Sequence, residues 1–428
     1  MNGSEDSSRE KLIRMSAYPK DNLYCLEPRG FRPEQKTGLF LFMHGGDRST
    51  PKSAPYDNYI GPGGSLRPFL ESLPFITAAP SAPDAPDGKR WNRPGCTEYL
   101  EAVIREMESR YNIDQDRIII GGYSMGGFGA YHQGQLLADR AAGLWLAAGA
   151  WLEADFRSML GTPVYILHGK YDCAAHYSTP HPEPRHHDWC GVSFARAAHE
   201  LMLRDDIAHV YDEHDGGHAV SWEPTQMAVR RFVNWAVRQK RQPFAPRIAL
   251  VTPRGSADPA LEMRPHSRWL ELNEVADGEI DFDKIMLTGP NIAHTIDELN
   301  AQSYCLTKVR HKGSRILACN DGNNHFTVTA ENATAIPPSR LRWSATAENI
   351  PAAPGNRTGA RRIPPSSAWS CNPMRLSFPA DSSGAETINE NGLASRRLTL
   401  YIKRFHIIVI RRRESHGREI HTGCMQNR

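Results

Sequence analysis

Runs of apolar residues alternate, along the first half of the chain, with stretches whose apolar residues recur at helical spacing. The runs are short and apolar throughout, as expected of strands that are covered on both faces. They predict strands at 22–27, 38–43, 75–79, 117–121, 142–148, 163–168 and 209–211. Apolar side chains recurring every three or four positions predict helices at 97–111, 193–204 and 225–238. This alternation predicts an α/β fold with a doubly wound, mostly parallel sheet.

The pattern changes around Pro243. In 246–345 the apolar runs are short, and Asp321-Gly322 predicts a β-hairpin that pairs 316–319 with 326–329. Pro, Ser, Asn, Gly and Arg then dominate, which is typical of a segment without fixed structure, except for a possible edge strand at 405–410. We therefore predict a polar lead in 1–20, an α/β domain in 21–243, a small β-rich appendage in 246–345 and a low-order basic tail in 346–428.

Charge separates this tail from the rest of the 428-residue chain, whose formal net charge is +3. Residues 351–428 contain 13 Lys and Arg against five Asp and Glu, a net charge of +8, which leaves −5 on the first 350 residues. The α/β domain therefore has no excess of basic residues that would indicate a nucleic-acid partner.

Composition also bears on where the protein acts. The chain contains no run of 18 apolar residues, so no membrane span is predicted, and its polar start lacks the apolar core of a secretory signal. The eight cysteines are scattered without a C-x-x-C pair, which favours thiols over a disulfide framework. We expect a cytoplasmic protein, and the oligomeric state is not predicted.

The chemistry of the chain centres on residues 122–129, Gly-Tyr-Ser-Met-Gly-Gly-Phe-Gly. A β-branched run that meets Gly-x-Ser-x-Gly and then a helical stretch resembles the nucleophile elbow of the α/β-hydrolase family. The turn is so tight that the positions beside Ser124 must be small, and Gly122 and Gly126 meet that demand. Ser124 is the predicted nucleophile.

An acyl-transferring serine needs a base and an acidic group that orients the base. Asp172 directly follows a predicted strand in the sequence His-Gly-Lys-Tyr-Asp, at the sheet edge where α/β proteins build their sites, and Asp188 is the alternative acid. His218 follows a short strand and a Gly-containing loop and is the predicted base, with His214 as the alternative.

Amide donors for the oxyanion are predicted at two places. The first is the N–H of Met125, directly after the nucleophile. The second is the segment His44-Gly45-Gly46, which follows a buried strand and whose glycines, Gly45 and Gly46, let the backbone approach a ligand closely.

Together these motifs resemble the esterase branch of the α/β-hydrolase superfamily, the polyhydroxybutyrate depolymerase-like and feruloyl-esterase-like enzymes. The similarity covers residues 20–242, about half of the chain. It implies hydrolysis of a small-molecule or polymer-derived carboxylic ester through an acyl-serine, without a cofactor. A peptidase or thioesterase with the same groups, or a non-catalytic binding protein of this fold, is the alternative. Many such relatives are exported, whereas this chain shows no signal.

Two further groups of residues are candidates for binding. Trp91, Trp151 and Trp189 are predicted to line an apolar substrate pocket, although core packing explains tryptophans equally well. Potential metal ligands crowd the loop after Asp172, but their spacing matches no standard zinc site, so we predict a polar cap and no metal. They are His176, His181, His186, His187, Asp188 and Cys190.

Overall fold

A computed structural model describes residues 9–47, 49–84, 90–172, 190–254, 266–268, 270–271, 278–288, 298, 303–322, 325–332, 396–403 and 406–410. Its strands are β1 (Glu10–Met15), β2 (Tyr18–Leu26), β3 (Thr37–Met43), β4 (Phe75–Pro80), β5 (Ile113–Tyr123), β6 (Gly143–Ala147), β7 (Glu153–Ala154), β8 (Val164–Gly169), β9 (His209–His214), β10 (Arg247–Arg254), β11 (His266–Ser267), β12 (Leu270–Glu271), β13 (Glu279–Thr288), β14 (Ser303–Gly322), β15 (His325–Glu331), β16 (Arg396–Lys403) and β17 (His406–Ile410). Its α-helices are α1 (Arg67–Leu70), α2 (Cys96–Arg110), α3 (Met125–Leu137), α4 (Val192–Arg204) and α5 (Glu223–Ala236).

Eight strands form the central sheet, in the order β1-β2-β4-β3-β5-β6-β8-β9. The pairs from β4 to β9 are parallel, whereas β2 is antiparallel to both β1 and β4. Every residue of β4, β6 and β8 is buried, as expected of strands covered on both faces. The predicted doubly wound, mostly parallel sheet is confirmed.

Helices cover this sheet on both sides and form two apolar cores. One core collects side chains of α2, α3 and α4, such as Leu100 and Phe194. The other collects side chains of α1 and α5, such as Phe69 and Phe232. No helix in the described ranges is both long and apolar enough to cross a bilayer.

The predicted polar lead in residues 1–20 needs a correction. Residues 10–15 form the edge strand β1, and β2 already begins at Tyr18. Ile13 and Met15 alternate with exposed residues, and both are buried in the core that contains α2, α3 and α4. Alternation of only two apolar side chains along one short strand is too weak a pattern to separate this strand from a polar loop.

A second, antiparallel sheet has the order β17-β16-β15-β14-β13-β7, and β10 also pairs with β14. Its β14–β15 pairing confirms the predicted hairpin of 316–319 with 326–329. The sheet is not confined to residues 246–345, because β7 comes from the predicted α/β domain and β16 and β17 come from the predicted tail. The expected edge strand at 405–410 corresponds to β17 at one end of the sheet. The domain boundaries themselves stay a prediction.

A buried ion network joins the segment that follows β7 to strands β14 and β15 of the second sheet. Asp155, next to β7, is 1% exposed, and it bonds Arg315 of β14, which is 2% exposed. Asp155 also bonds Arg157 at 2.7 Å, and Arg315 bonds Glu331 at 2.6 Å. Burial alone would raise the pKa of Asp155, but the two guanidinium groups hold it well below its usual range. Loss of Arg315 would leave the buried carboxylate of Asp155 with Arg157 alone.

This network predicts a large cost for removing Arg315. Arg315→Met should lower the free energy of unfolding by about 3–5 kcal/mol, because Asp155 loses a buried partner. Urea unfolding followed by tryptophan fluorescence measures the change. Arg310→Met is the matched control on the same strand, since Arg310 is 52% exposed, and it should cost less than about 1 kcal/mol. Equal costs for the two variants would contradict a role of Arg315 in holding the segment after β7 on the second sheet.

Candidate active site

The turn between β5 and α3 holds Ser124 in a strained conformation, with φ at 58° and ψ at −120°. A positive φ is uncommon for a residue with a side chain and is maintained only where the surroundings enforce it. The Ser124 amide donates to the Ala147 carbonyl at 3.1 Å, and the Ser124 carbonyl accepts from Phe128 at 3.0 Å. The serine is therefore fixed at the sheet edge where the parallel strands end.

Two glycines make this turn possible. A Cβ at position 126 would lie 1.8 Å from the Met43 carbonyl oxygen, and one at 122 would lie 2.3 Å from the Gly126 carbonyl oxygen. Both contacts would be with backbone, which cannot move aside as a flexible side chain can. The predicted demand for small residues beside the serine thus has a steric cause.

Ser124, His218 and Asp172 form a chain of hydrogen bonds. The Ser124 Oγ lies 2.8 Å from His218 Nε2, and His218 Nδ1 lies 2.8 Å from Asp172 Oδ2. The three residues follow β5, β8 and β9, whose carboxyl ends meet at one edge of the parallel sheet. The Tyr123 hydroxyl donates to the His218 carbonyl at 2.6 Å and so fixes the loop that carries the imidazole.

Asp172 is buried and held on a second side by His168. The Nε2 of His168 lies 3.0 Å from Asp172 Oδ2 and 2.7 Å from the Cys190 carbonyl oxygen. Burial alone would raise the pKa of Asp172, but the charge of His218 and the hydrogen bonds from both histidines hold it well below its usual range. The carboxylate is therefore ionised and oriented toward His218.

The contact with Asp172 shifts the pKa of His218 in the opposite direction. Burial alone would lower the pKa of His218, but the charge of Asp172 outweighs it and raises that pKa well above its usual value. An imidazole of raised basicity that touches a hydroxyl through Nε2 can accept its proton.

The alternative base is His214, and the alternative acid is Asp188. His214 is buried and accepts from the Gly216 amide at 3.1 Å, and burial, together with the neighbouring His168, lowers its pKa to about 4. Its ring is therefore engaged away from Ser124. Asp188 lies outside the described residues, as do the histidines of the loop after Asp172.

The Gly45 backbone lies beside Ser124, since a Cβ at position 45 would lie 2.9 Å from Ser124 Cβ. The Gly45 amide, however, bonds the hydroxyl of Tyr59, whose pKa burial raises to about 12. Within the described residues, the amides of Gly46 and Met125 donate to no backbone carbonyl outside the helices and strands. Gly46 and Met125 therefore stay the predicted oxyanion donors.

Trp91 supports the segment that carries Gly45 and Gly46 through a hydrogen bond to the His44 carbonyl. It is fully buried, and its indole N–H donates to the His44 carbonyl at 2.9 Å. The His44 ring accepts from the Ala82 amide at 3.0 Å, so both side chains fix the segment that carries Gly45 and Gly46. The prediction that Trp91 lines a substrate pocket does not fit the structure, because its side chain is fully buried.

A cavity of about 290 Å³ opens along α3 beyond the elbow. Its apolar wall includes Phe128, Trp151 and Phe194, and its polar wall includes Arg90, His132 and Gln135. Trp151 lies at this cavity, with its indole N–H bonded to the Phe194 carbonyl at 2.9 Å, and its contact with substrate stays a prediction. Trp189 lies outside the described residues.

The observations so far decide the fold class. The central sheet places a strained Gly-x-Ser-x-Gly turn after the strand β5, and Asp172 and His218 follow it along the chain. This order of elements is that of the α/β-hydrolase fold. No family model matches this chain.

A curated relative is the bifunctional acetylxylan esterase/xylanase XynS20E of Neocallimastix patriciarum, 25% identical to this chain over 158 residues. The matched segment is 36% of this chain and only 22% of that relative. Among solved structures, a thermostable esterase is 18% identical, with a TM-score of 0.39 and coverage of 54% of this chain and 63% of that one. A ferulic acid esterase of Anaeromyces mucronatus is 15% identical, with a TM-score of 0.37 and coverage of 56% and 93%.

Sequence reasoning missed the residues that support this candidate site. His168 stands in the quoted motif His-Gly-Lys-Tyr-Asp, four positions before Asp172, and that spacing is a signal that was available. Tyr59 and Tyr123 gave no such signal, because their contacts with Gly45 and His218 come from loops that meet only in the folded chain.

The raised pKa of His218 predicts how the rate depends on pH. As pH falls through that pKa, the imidazole binds a proton and can no longer accept one from Ser124, so kcat/KM for an ester should fall. Asp172→Asn removes the charge that raises the pKa, so this loss should move to lower pH, and turnover should drop by about four orders of magnitude. The measurement is the pH profile of kcat/KM for an aryl ester.

Asp215→Asn is the control for this experiment, since Asp215 is exposed on the same loop as His218. Its profile should match that of the parent chain. A profile of Asp172→Asn with an unshifted acid limb would show that another carboxylate, such as Asp188, holds His218.

Proposed function

We propose that this hydrolase cleaves carboxylic esters through an acyl-serine intermediate formed on Ser124. The observation that carries the proposal is the hydrogen-bonded chain from Asp172 through His218 to the Oγ of a serine in a strained elbow. Each group needed for nucleophilic acyl transfer is present, and each is oriented by a second contact. All of them belong to the chain, so the proposal includes no cofactor.

In the first half of the reaction, His218 Nε2 takes the proton from Ser124 Oγ as the oxygen attacks the ester carbonyl. The amides of Gly46 and Met125 donate to the oxygen that becomes negative. His218 then gives the proton to the departing alcohol, and the acyl group stays on Ser124. In the second half, water takes the place of the alcohol and the acid is released.

Asp172 acts through His218 in this scheme. Its carboxylate keeps the proton of the neutral imidazole on Nδ1, so that Nε2 faces Ser124 as the acceptor. It also stabilises the imidazolium that forms during the attack. Its own burial and its bond from His168 keep it in position.

The name of the curated relative, which includes an acetylxylan esterase, supports the proposal that the cleaved bond is a carboxylic ester. Because the matched segment spans under a quarter of that relative, the ester itself remains a proposal. The cavity beside α3 is a suitable site for one half of the substrate, since it offers aromatic walls one helical turn beyond the nucleophile. A panel of esters, thioesters and anilides separates an esterase from a thioesterase or peptidase.

Replacement of the nucleophile tests the proposal. Ser124→Ala should abolish both the turnover of an aryl acetate and covalent labelling by a fluorophosphonate, because only an activated serine attacks phosphorus rapidly. Ser109→Ala, an exposed serine on α2, should keep both. A circular dichroism spectrum equal to that of the parent chain checks that the alanine variant is folded. Labelling that survives Ser124→Ala would contradict the assignment.

A further inference from the structure

The thiol of Cys190 lies at the hydrogen-bonded chain but has no role in the proposed reaction. Its Sγ is 3.9 Å from Asp172 Oδ1. One ligand atom from each of Asp172, Cys190 and His218 can be chosen so that all three lie within 4.8 Å of one another. Cys190 is a thiol in the structure, and it immediately precedes the first turn of α4.

A thiolate, an imidazole nitrogen and a carboxylate oxygen are the three protein ligand types that bind zinc. Zinc holds them at about 2.0–2.3 Å in tetrahedral geometry, which needs the ligand atoms to move closer to one another by roughly 1 Å. We propose that Asp172, Cys190 and His218 form a zinc site that switches the hydrolase off. This site uses none of the histidines in the loop that follows Asp172.

His168 gives this site a rigid support. The Nε2 atom of His168 lies 3.0 Å from the Asp172 carboxylate and 2.7 Å from the main-chain carbonyl oxygen of Cys190. One buried imidazole therefore holds two of the three ligand residues next to each other. Polar groups behind metal ligands commonly have this function, since they orient the ligands before the ion arrives.

Binding would remove the base without any oxidation or reduction. Cys190 releases its thiol proton to solvent, and the sulfur donates an electron pair to the ion. His218 donates from one ring nitrogen and keeps its proton on the other, so no nitrogen remains to accept the proton of Ser124. A chelator reverses the change. Since a proton is released, zinc should bind more tightly as the pH rises.

The inhibition rests on the proposed function, but the binding does not, and the experiment separates the two. Ser124→Ala keeps all three ligands and hydrolyses no ester, so zinc binding to this variant is measured by calorimetry. Cobalt in place of zinc should give the near-ultraviolet charge-transfer absorption of a metal thiolate. The parent chain, freed of metal by EDTA, should lose ester turnover as zinc is added and regain it with EDTA.

Cys190→Ser should weaken both zinc binding and inhibition by at least about ten-fold, with inhibition measured against the variant's own zinc-free rate. Cys305→Ser, at an exposed thiol of β14, should change neither. Unchanged zinc affinity in Cys190→Ser, or zinc that binds the three residues without inhibiting, would overturn the proposal. Zinc binding in Ser124→Ala together with a parent chain that cleaves no ester would support the site and contradict the proposed function.

Discussion

The backbone of Ser124 has a φ of 58°, and the surrounding chain must hold it there. This conformation depends on close backbone contacts. The Met43 carbonyl occupies the space where a side chain at 126 would lie, and the Gly126 carbonyl occupies that of a side chain at 122. The same turn has two results. It exposes the Ser124 hydroxyl at the sheet edge, and it starts α3 with its first amides toward that hydroxyl. The proposed nucleophile and one proposed oxyanion donor thus both depend on a single backbone constraint.

The remaining groups come to this turn because parallel strands end at a common edge. Asp172 follows β8 and His218 follows β9, and the loops after these strands need only to fold over β5. Further contacts then fix each group: His168 holds Asp172, Tyr123 holds the His218 loop, and Tyr59 holds Gly45. At the far end of α3, Gln135 accepts a hydrogen bond from the amide of Asp155, whose carboxylate pairs with Arg315 of the second sheet.

Much of this arrangement could be predicted from local sequence. Apolar runs identify the buried strands, and the elbow motif locates Ser124, because both signals lie within a few consecutive residues. The pairing of Asp155 with Arg315 could not be predicted, since the two residues are 160 positions apart and neither stands in a motif. Strand β1 could not be predicted, because only its residues Ile13 and Met15 face the core. The contact of Tyr59 with the Gly45 amide, a predicted oxyanion donor, could not be predicted because sequence spacing does not reveal it.

The central claim is that Ser124 carries the acyl group between the two halves of the reaction. The most direct measurement is mass spectrometry of the chain after an acid quench during turnover of an aryl acetate. The account predicts a chain heavier by one acetyl group, with the added mass on the peptide that contains Ser124. Acetyl on another residue, such as Cys190, or turnover with no acylated chain at any quench time, would contradict it.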